Sequence, residues 1–207
     1  MDVISDQEAI LALERHFKPF LKLMKGGWSD YLSFCTANVR PKFTTTTRAG
    51  MVHDFQVTRA SEYAARAPGV RIVESSKLRL IVIADRYAIR LKKLDEALMP
   101  SNHITDQVRD FRGQRQLPGL PQTCNLELGY VLDRSETEVG QVCLVLPNGP
   151  YKNMWAIDLS KMESIGKQTV FDFARTIESE TEVDESAEVI AKREGVVIPM
   201  KRDQEKE

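Results

Sequence analysis

Three residues in the stretch 47–67 have side chains suited to catalysis on an anion: Arg48, His53 and Arg59. Arginine binds phosphate through a planar fork of N–H donors, and histidine transfers protons near neutral pH. Together with Lys42 or an arginine of a later loop, they would act without a metal, as metal-independent ribonucleases do. The helical repeat separates His53 from Arg48 by about 140°, which opposes direct cooperation unless the helix starts later. These residues predict one candidate function, an enzyme acting on RNA or a nucleotide-like anion.

The same stretch has the pattern of one amphipathic helix. Thr47 is a suitable N-cap, and Pro68-Gly69 ends the run. With about 100° between residues, the apolar side holds six residues: Ala49, Val52, Phe55, Ala60, Tyr63 and Ala67. Arg48, Gln56 and Arg59 fall among them, which indicates a partner carboxylate inside the fold or a cleft for an anion, because a buried guanidinium must be paired. Arginines at the rim of such a stripe also commonly reach solvent.

A second group of residues is predicted to bind an anion or nucleic acid. It consists of cationic side chains before the helix and in the long segment 95–123: Arg40, Lys42, His103, Arg109, Arg112 and Arg115. An unstructured segment of this length inside a domain is usually functional or poorly ordered. The alternatives are ordinary solvated charges at the first two positions and a polar mobile loop for the others.

Motifs for nucleotide, metal and hydrolase chemistry are missing from the sequence. It contains no P-loop, no dinucleotide-binding glycine motif, no nucleophile elbow and no zinc-protease motif. A magnesium nuclease is the weakest alternative, in which carboxylates near predicted strand ends would converge on the metal: Glu74, Asp85, Glu127 and Asp133. The sequence therefore predicts neither a metal nor a cofactor.

Composition is that of an ordinary globular protein, with 42% hydrophobic and 29% charged residues among 207 and a net charge of −1. Only three cysteines are present, too few and too scattered for a disulfide framework. No signal-peptide pattern and no run of about 18 apolar residues occurs. These features predict a cytoplasmic protein without membrane association.

The fold predicted from the order of patterns is α+β, with N-terminal helices on a mainly antiparallel sheet of five or six strands. A capping box at Ser5–Glu8 begins a helix that Gly26-Gly27 should end, and a second short helix is expected at 29–36. The threonine run 43–47 reads as an extended segment. Strands are expected in two groups: 70–74, 78–84 and 87–94, then 124–132, 139–146 and 152–159.

Charge divides the chain into a predicted domain, 1–159, and an acidic helical tail, 160–207. The first has 21 basic and 18 acidic residues, a net of +3, and the second has 8 and 12, a net of −4. The segment 178–188 carries six acidic residues and no basic ones. In size and charge division the chain resembles components of bacterial toxin–antitoxin and phage-defence pairs. This predicts the other candidate function, action through a protein partner bound by the tail, unless the tail is simply solvated.

Overall fold

The computed structural model describes residues 4–75, 77–100 and 105–162. The described part has helices at its N-terminal end followed by a six-stranded sheet, which confirms the predicted α+β class. In chain order its elements are α1 (Asp6–Phe34), α2 (Thr45–Ala64), β1 (Val70–Ser75), β2 (Leu78–Ile83), β3 (Tyr87–Lys93), α3 (Asp106–Arg112), β4 (Cys124–Leu132), β5 (Val139–Pro147) and β6 (Asn153–Asp158). The predicted division at 159/160 and the tail stay predictions, because residues 163–207 lie outside the described ranges.

The six strands lie in the sheet in the order of the sequence. Every neighbouring pair is antiparallel except β3 and β4, which run parallel because α3 and its flanking loops form the crossover between them. Helix α2 packs over β1–β3 and α1 over β4–β6. On the other face, Phe111 of α3 packs with Leu80, Val82 and Ala88. The sheet is therefore covered on both sides.

Helix α1 begins at the predicted capping box, where Ser5 accepts a hydrogen bond from the Glu8 amide and the Glu8 carboxylate accepts one from the Ser5 amide. It then runs without a break to Phe34, so the predicted end at Gly26-Gly27 and the predicted separate helix at 29–36 are both wrong. The two glycines have a packing role instead. A Cβ at Gly27 would lie 2.5 Å from Cγ and 3.0 Å from the backbone nitrogen of Gln56, so only glycine permits this approach of α2.

Helix α2 begins one turn earlier than predicted. Thr44, rather than Thr47, is the N-cap, and its hydroxyl accepts a hydrogen bond of 3.1 Å from the Thr47 amide. The threonine run is therefore not extended beyond Thr44. Each of these threonines is a good cap, so the sequence alone does not distinguish among them. Toward the core α2 buries Val52, Gln56 and Ala60.

Strands β2 and β3 separate at one end. Their pairing runs from Ile83↔Tyr87 to Leu80↔Arg90 and stops there, although β2 starts at Leu78 and β3 continues to Lys93. From that point β3 pairs only with β4. The gap between the strand ends lies beside the N-terminal half of α2, and it opens the cleft described below.

Alanine at the two neighbouring glycines should have effects of different size. Gly27→Ala should lower the free energy of unfolding by about 1–2 kcal/mol, because overpacking against the Gln56 backbone outweighs the gain in helix propensity. Gly26→Ala should change it by less than about 1 kcal/mol, since its Cβ would meet only the movable guanidinium of Arg59. Urea unfolding of both variants measures the difference. Equal effects would contradict the close helix contact.

Candidate functional site

A cleft of about 720 Å³ lies between α2 and the separated ends of β2 and β3. Its volume is in the range of small-molecule and cofactor sites. Among the described residues, five cationic side chains line it against two carboxylates, Asp54 and Glu74, which gives a net charge of +3 with His53 neutral. The cations are Lys77, Arg79, Arg90, Lys92 and Lys93.

Two lining residues have buried donors without an acceptor among the described residues. They are Nε2 of Gln56 and Nη1 of Arg90. Gln56 is only 1% exposed, and its stem is held against Gly27. Arg90 lies over the ring of Phe111, with Cζ 6.0 Å from the ring centroid. Unpaired buried atoms also occur outside the cleft, on Tyr31, Arg48, Tyr87 and Glu127. The two in the cleft lie beside several cations, and since buried donors are nearly always satisfied in folded proteins, they make it a candidate site for an acceptor.

Lys92 is placed two residues beyond Arg90 on the same strand. Burial lowers the pKa of Lys92 to about 8, and the positive charges of Arg90 and Arg112 contribute to that shift, while the Glu127 carboxylate opposes it. Burial also lowers the pKa of Arg90, which nevertheless stays charged at neutral pH. This end of the cleft concentrates positive charge in a poorly solvated place.

His53 lines the cleft from α2 and is 37% exposed. Burial lowers its pKa, and the charge of Lys92 lowers it further, whereas the Asp54 carboxylate has the opposite effect. The Oδ1 atom of Asp54 lies 3.8 Å from Nδ1 of His53 and 3.5 Å from Nη1 of Arg79. The imidazole is therefore largely neutral at pH 7 and able to accept a proton.

The other two predicted catalytic residues are occupied elsewhere. Arg59 forms two hydrogen bonds with Asp30 of α1, of 2.5 Å and 2.7 Å, so it has the partner carboxylate that the sequence indicates as one alternative. Arg48 lies 3.5 Å from Glu136. It lines a small neighbouring cavity of about 20 Å³ rather than the cleft. The structure does not bring Arg48, His53 and Arg59 into one pocket, and their catalytic roles stay predictions.

Most of the predicted anion-binding residues are dispersed. Arg40 donates to the Cys35 carbonyl at 2.8 Å, next to the end of α1. Lys42 is exposed and His103 lies outside the described residues. Arg109 and Arg115 pair with Asp106 and Asp110, each at 3.0 Å. None of the four that lie within the described residues lines the cleft.

Arg112, the sixth of these residues, has a structural position. It is 1% exposed and forms an ion pair with the fully buried Glu127. Its guanidinium also donates to the Gly149 carbonyl at 3.0 Å and to Oδ1 of Asn153 at 2.8 Å. With its donors committed to internal acceptors, Arg112 joins α3 to the sheet. The geometry gives no support to its binding an external anion.

Sequence reasoning missed most of the cleft. The basic outer face of β3 is visible as the alternation of Arg90 and Lys92, and Gln56 stands out on an apolar helix side. Lys77 and Arg79 carry no such signal. The incomplete pairing of β2 with β3 brings these residues together, and no local sequence pattern shows where that pairing stops.

Within the described residues, no group of three histidine, cysteine, aspartate or glutamate side chains is arranged to hold a metal ion. Of the carboxylates considered for a metal nuclease, Glu127 pairs with Arg112 and Asp85 with Arg71. The described helices include none with the length and apolar character to cross a membrane.

Comparison with known proteins found no match to this chain among family models, curated proteins or solved structures. The residues of the site are therefore the basis for a proposed function.

Loss of Arg112 should be far more damaging than loss of its neighbour on α3. Arg112→Met leaves Glu127 buried without its counter-ion and should lower the free energy of unfolding by about 3–5 kcal/mol. Arg109→Met removes a pair whose arginine is 61% exposed and should cost less than about 1 kcal/mol. Chemical denaturation measures both. Similar values would show that the Arg112–Glu127 pair contributes no more than a surface pair.

Lys92 should reduce stability in a pH-dependent way. Its pKa is about 8 in the folded protein, against an ordinary value of 10.5, so the unfolded chain holds the proton more tightly. The penalty is complete below about pH 8 and disappears as the pH rises toward 10.5. Lys92→Met should therefore be more stable than wild type below pH 8, with the difference shrinking as the pH rises.

Unfolding free energies measured from pH 6 to about 10.5 check this expectation. The control is Lys22→Met at an exposed position of α1, which should differ little from wild type throughout. A Lys92→Met effect that does not change with pH would refute the linkage.

Proposed function

We propose that the cleft binds the phosphate group of an RNA strand or a nucleotide. The observation that carries the proposal is the presence of buried, unsatisfied donors on Gln56 and Arg90 in a cleft with a net charge of +3. A phosphate offers the acceptor oxygens that these donors lack and the negative charge that the cations require. The first turn of α2 also lines the cleft, and its amides add to the positive field.

Phosphate fits this cleft better than a carboxylate does. The cations are divided between β2, with Arg79, and the end of β3, with Arg90 and Lys92, so they surround the ligand from two strands. A tetrahedral anion with several oxygens contacts both sides at once. The hydroxyls of Thr45 and Thr46 supply further hydrogen bonds from α2.

The predicted partner-binding function, in a toxin–antitoxin or phage-defence pair, depends on the tail. It stays a prediction, because residues 163–207 are outside the described ranges. The cytoplasmic location also stays a prediction. No specific contact in the described residues favours partner binding over phosphate binding in the cleft.

Gln56→Met should separate binding from stability. Removing a buried donor that has no acceptor is nearly neutral or stabilising for the fold. Losing its hydrogen bond to a bound phosphate should weaken binding about ten-fold. The measurement is fluorescence anisotropy of a labelled eight-nucleotide single-stranded RNA, with a thermal melt of each protein. A ten-fold loss together with a lower melting temperature would point to a packing role for Gln56.

Arg90→Gln provides the charge-removing variant, and Arg71→Gln is its control. Arg71 lies on β1 outside the cleft, where it pairs with Asp85 at 2.6 Å. Only Arg90→Gln should weaken RNA binding and reduce its salt dependence, by about 0.7 in the logarithmic slope for each phosphate that the variant no longer neutralises. Competition by a mononucleotide distinguishes a nucleotide site from a strand site. No binding of either probe by the wild type would overturn the proposal.

A further inference from the structure

We propose that His53 and Lys92 are the general base and general acid that cleave an RNA strand held in the cleft. The inference rests on the proposed phosphate site and adds a reaction to it. Both residues line the cleft, His53 from α2 and Lys92 from β3. Gln56 and Arg90 line the same cleft and would hold the scissile phosphate between them.

His53 has the surroundings of a base. The charged groups that act on it are Lys92 and Arg79, which favour the neutral ring, and Asp54, which favours the protonated one. Burial and Lys92 dominate, so the pKa is lowered and the ring carries only one proton at pH 7. A neutral imidazole at the edge of a cation-lined cleft can accept a proton from a bound hydroxyl.

Lys92 has the surroundings of an acid. The charged groups that act on it are Arg90 and Arg112, which disfavour the ammonium, and Glu127, which favours it. Its pKa of about 8 leaves the ammonium protonated at pH 7 but far more acidic than an ordinary lysine. Such a group can transfer a proton to a leaving oxygen at neutral pH. The two residues thus have opposite protonation states in one cleft, as acid–base catalysis requires.

The reaction is an intramolecular transfer of the phosphoryl group. His53 takes the proton of a ribose 2′-hydroxyl as its oxygen forms a bond to phosphorus. The bond from phosphorus to the 5′-oxygen of the next nucleotide breaks, and Lys92 gives that oxygen a proton. The products are a 2′,3′-cyclic phosphate end and a free 5′-hydroxyl end. The cationic cleft stabilises the charge that develops on the phosphoryl oxygens.

The decisive variant is Lys92→Arg, which keeps the positive charge but cannot release a proton near neutral pH. It should bind the eight-nucleotide RNA within about three-fold of wild type and cleave it at least about 100-fold more slowly. His53→Gln should behave in the same way. Lys22→Arg, exposed on α1, should cleave as wild type does. End-group analysis should find the cyclic phosphate, and the wild-type rate should fall above about pH 8.

A substrate with deoxyribose at every position supplies the matched chemical control. It keeps the phosphates but has no 2′-hydroxyl, so it should compete for binding without being cleaved. Wild-type protein that binds RNA and leaves it intact would overturn this inference while leaving the phosphate site standing. Failure to bind would overturn both. Undiminished cleavage by Lys92→Arg and His53→Gln would assign the activity to other residues and would also overturn the inference.

Discussion

The contact of α2 with Gly27 of α1 determines where the cleft can form. Because that glycine has no Cβ, the backbone of Gln56 comes close to α1, and the middle of α2 is fixed at this point. The two helices can then lie side by side, α1 over β4–β6 and α2 over β1–β3. The N-terminal half of α2 is thereby placed beside the gap between β2 and β3. A bulkier residue at position 27 would shift the wall of the cleft as well as the helix packing.

The same contact explains the unusual position of Gln56. A helix packed so closely must bury the side chain at its centre, and here that side chain is an amide whose Nε2 has no acceptor among the described residues. An apolar residue of similar size would pack as well and would avoid the desolvation cost, which is about 1–3 kcal/mol for an unsatisfied group. An amide at this position therefore makes structural sense chiefly if a ligand completes its hydrogen bonds.

Local features of this fold could be predicted from the sequence, and features created by distant pairs could not. The capping box at Ser5 and the meander of the last three strands depend on neighbouring residues, and both are present. Gly27 has the sequence pattern of a helix end. Its packing role could not be predicted, because the residue it contacts, Gln56, lies far along the chain. Arg59 has the sequence pattern of a site residue. The carboxylate with which it pairs could not be predicted, because Asp30 belongs to another helix. The cleft itself follows from a strand pairing that stops, which has no sequence pattern.

The balance of charge on the α3 side of the sheet gives the strongest physical reason to expect an anion. Arg90 and Lys92 lie where burial lowers the pKa of both, and each is further affected by the positive charge of Arg112 and the negative charge of Glu127. Arg112 takes Glu127 for its own ion pair. Burial, together with the positive charges of Arg90 and Arg112, lowers the pKa of Lys92, and this shift destabilises the folded chain. Such strain is typical of functional sites, and an anion entering the cleft would relieve it.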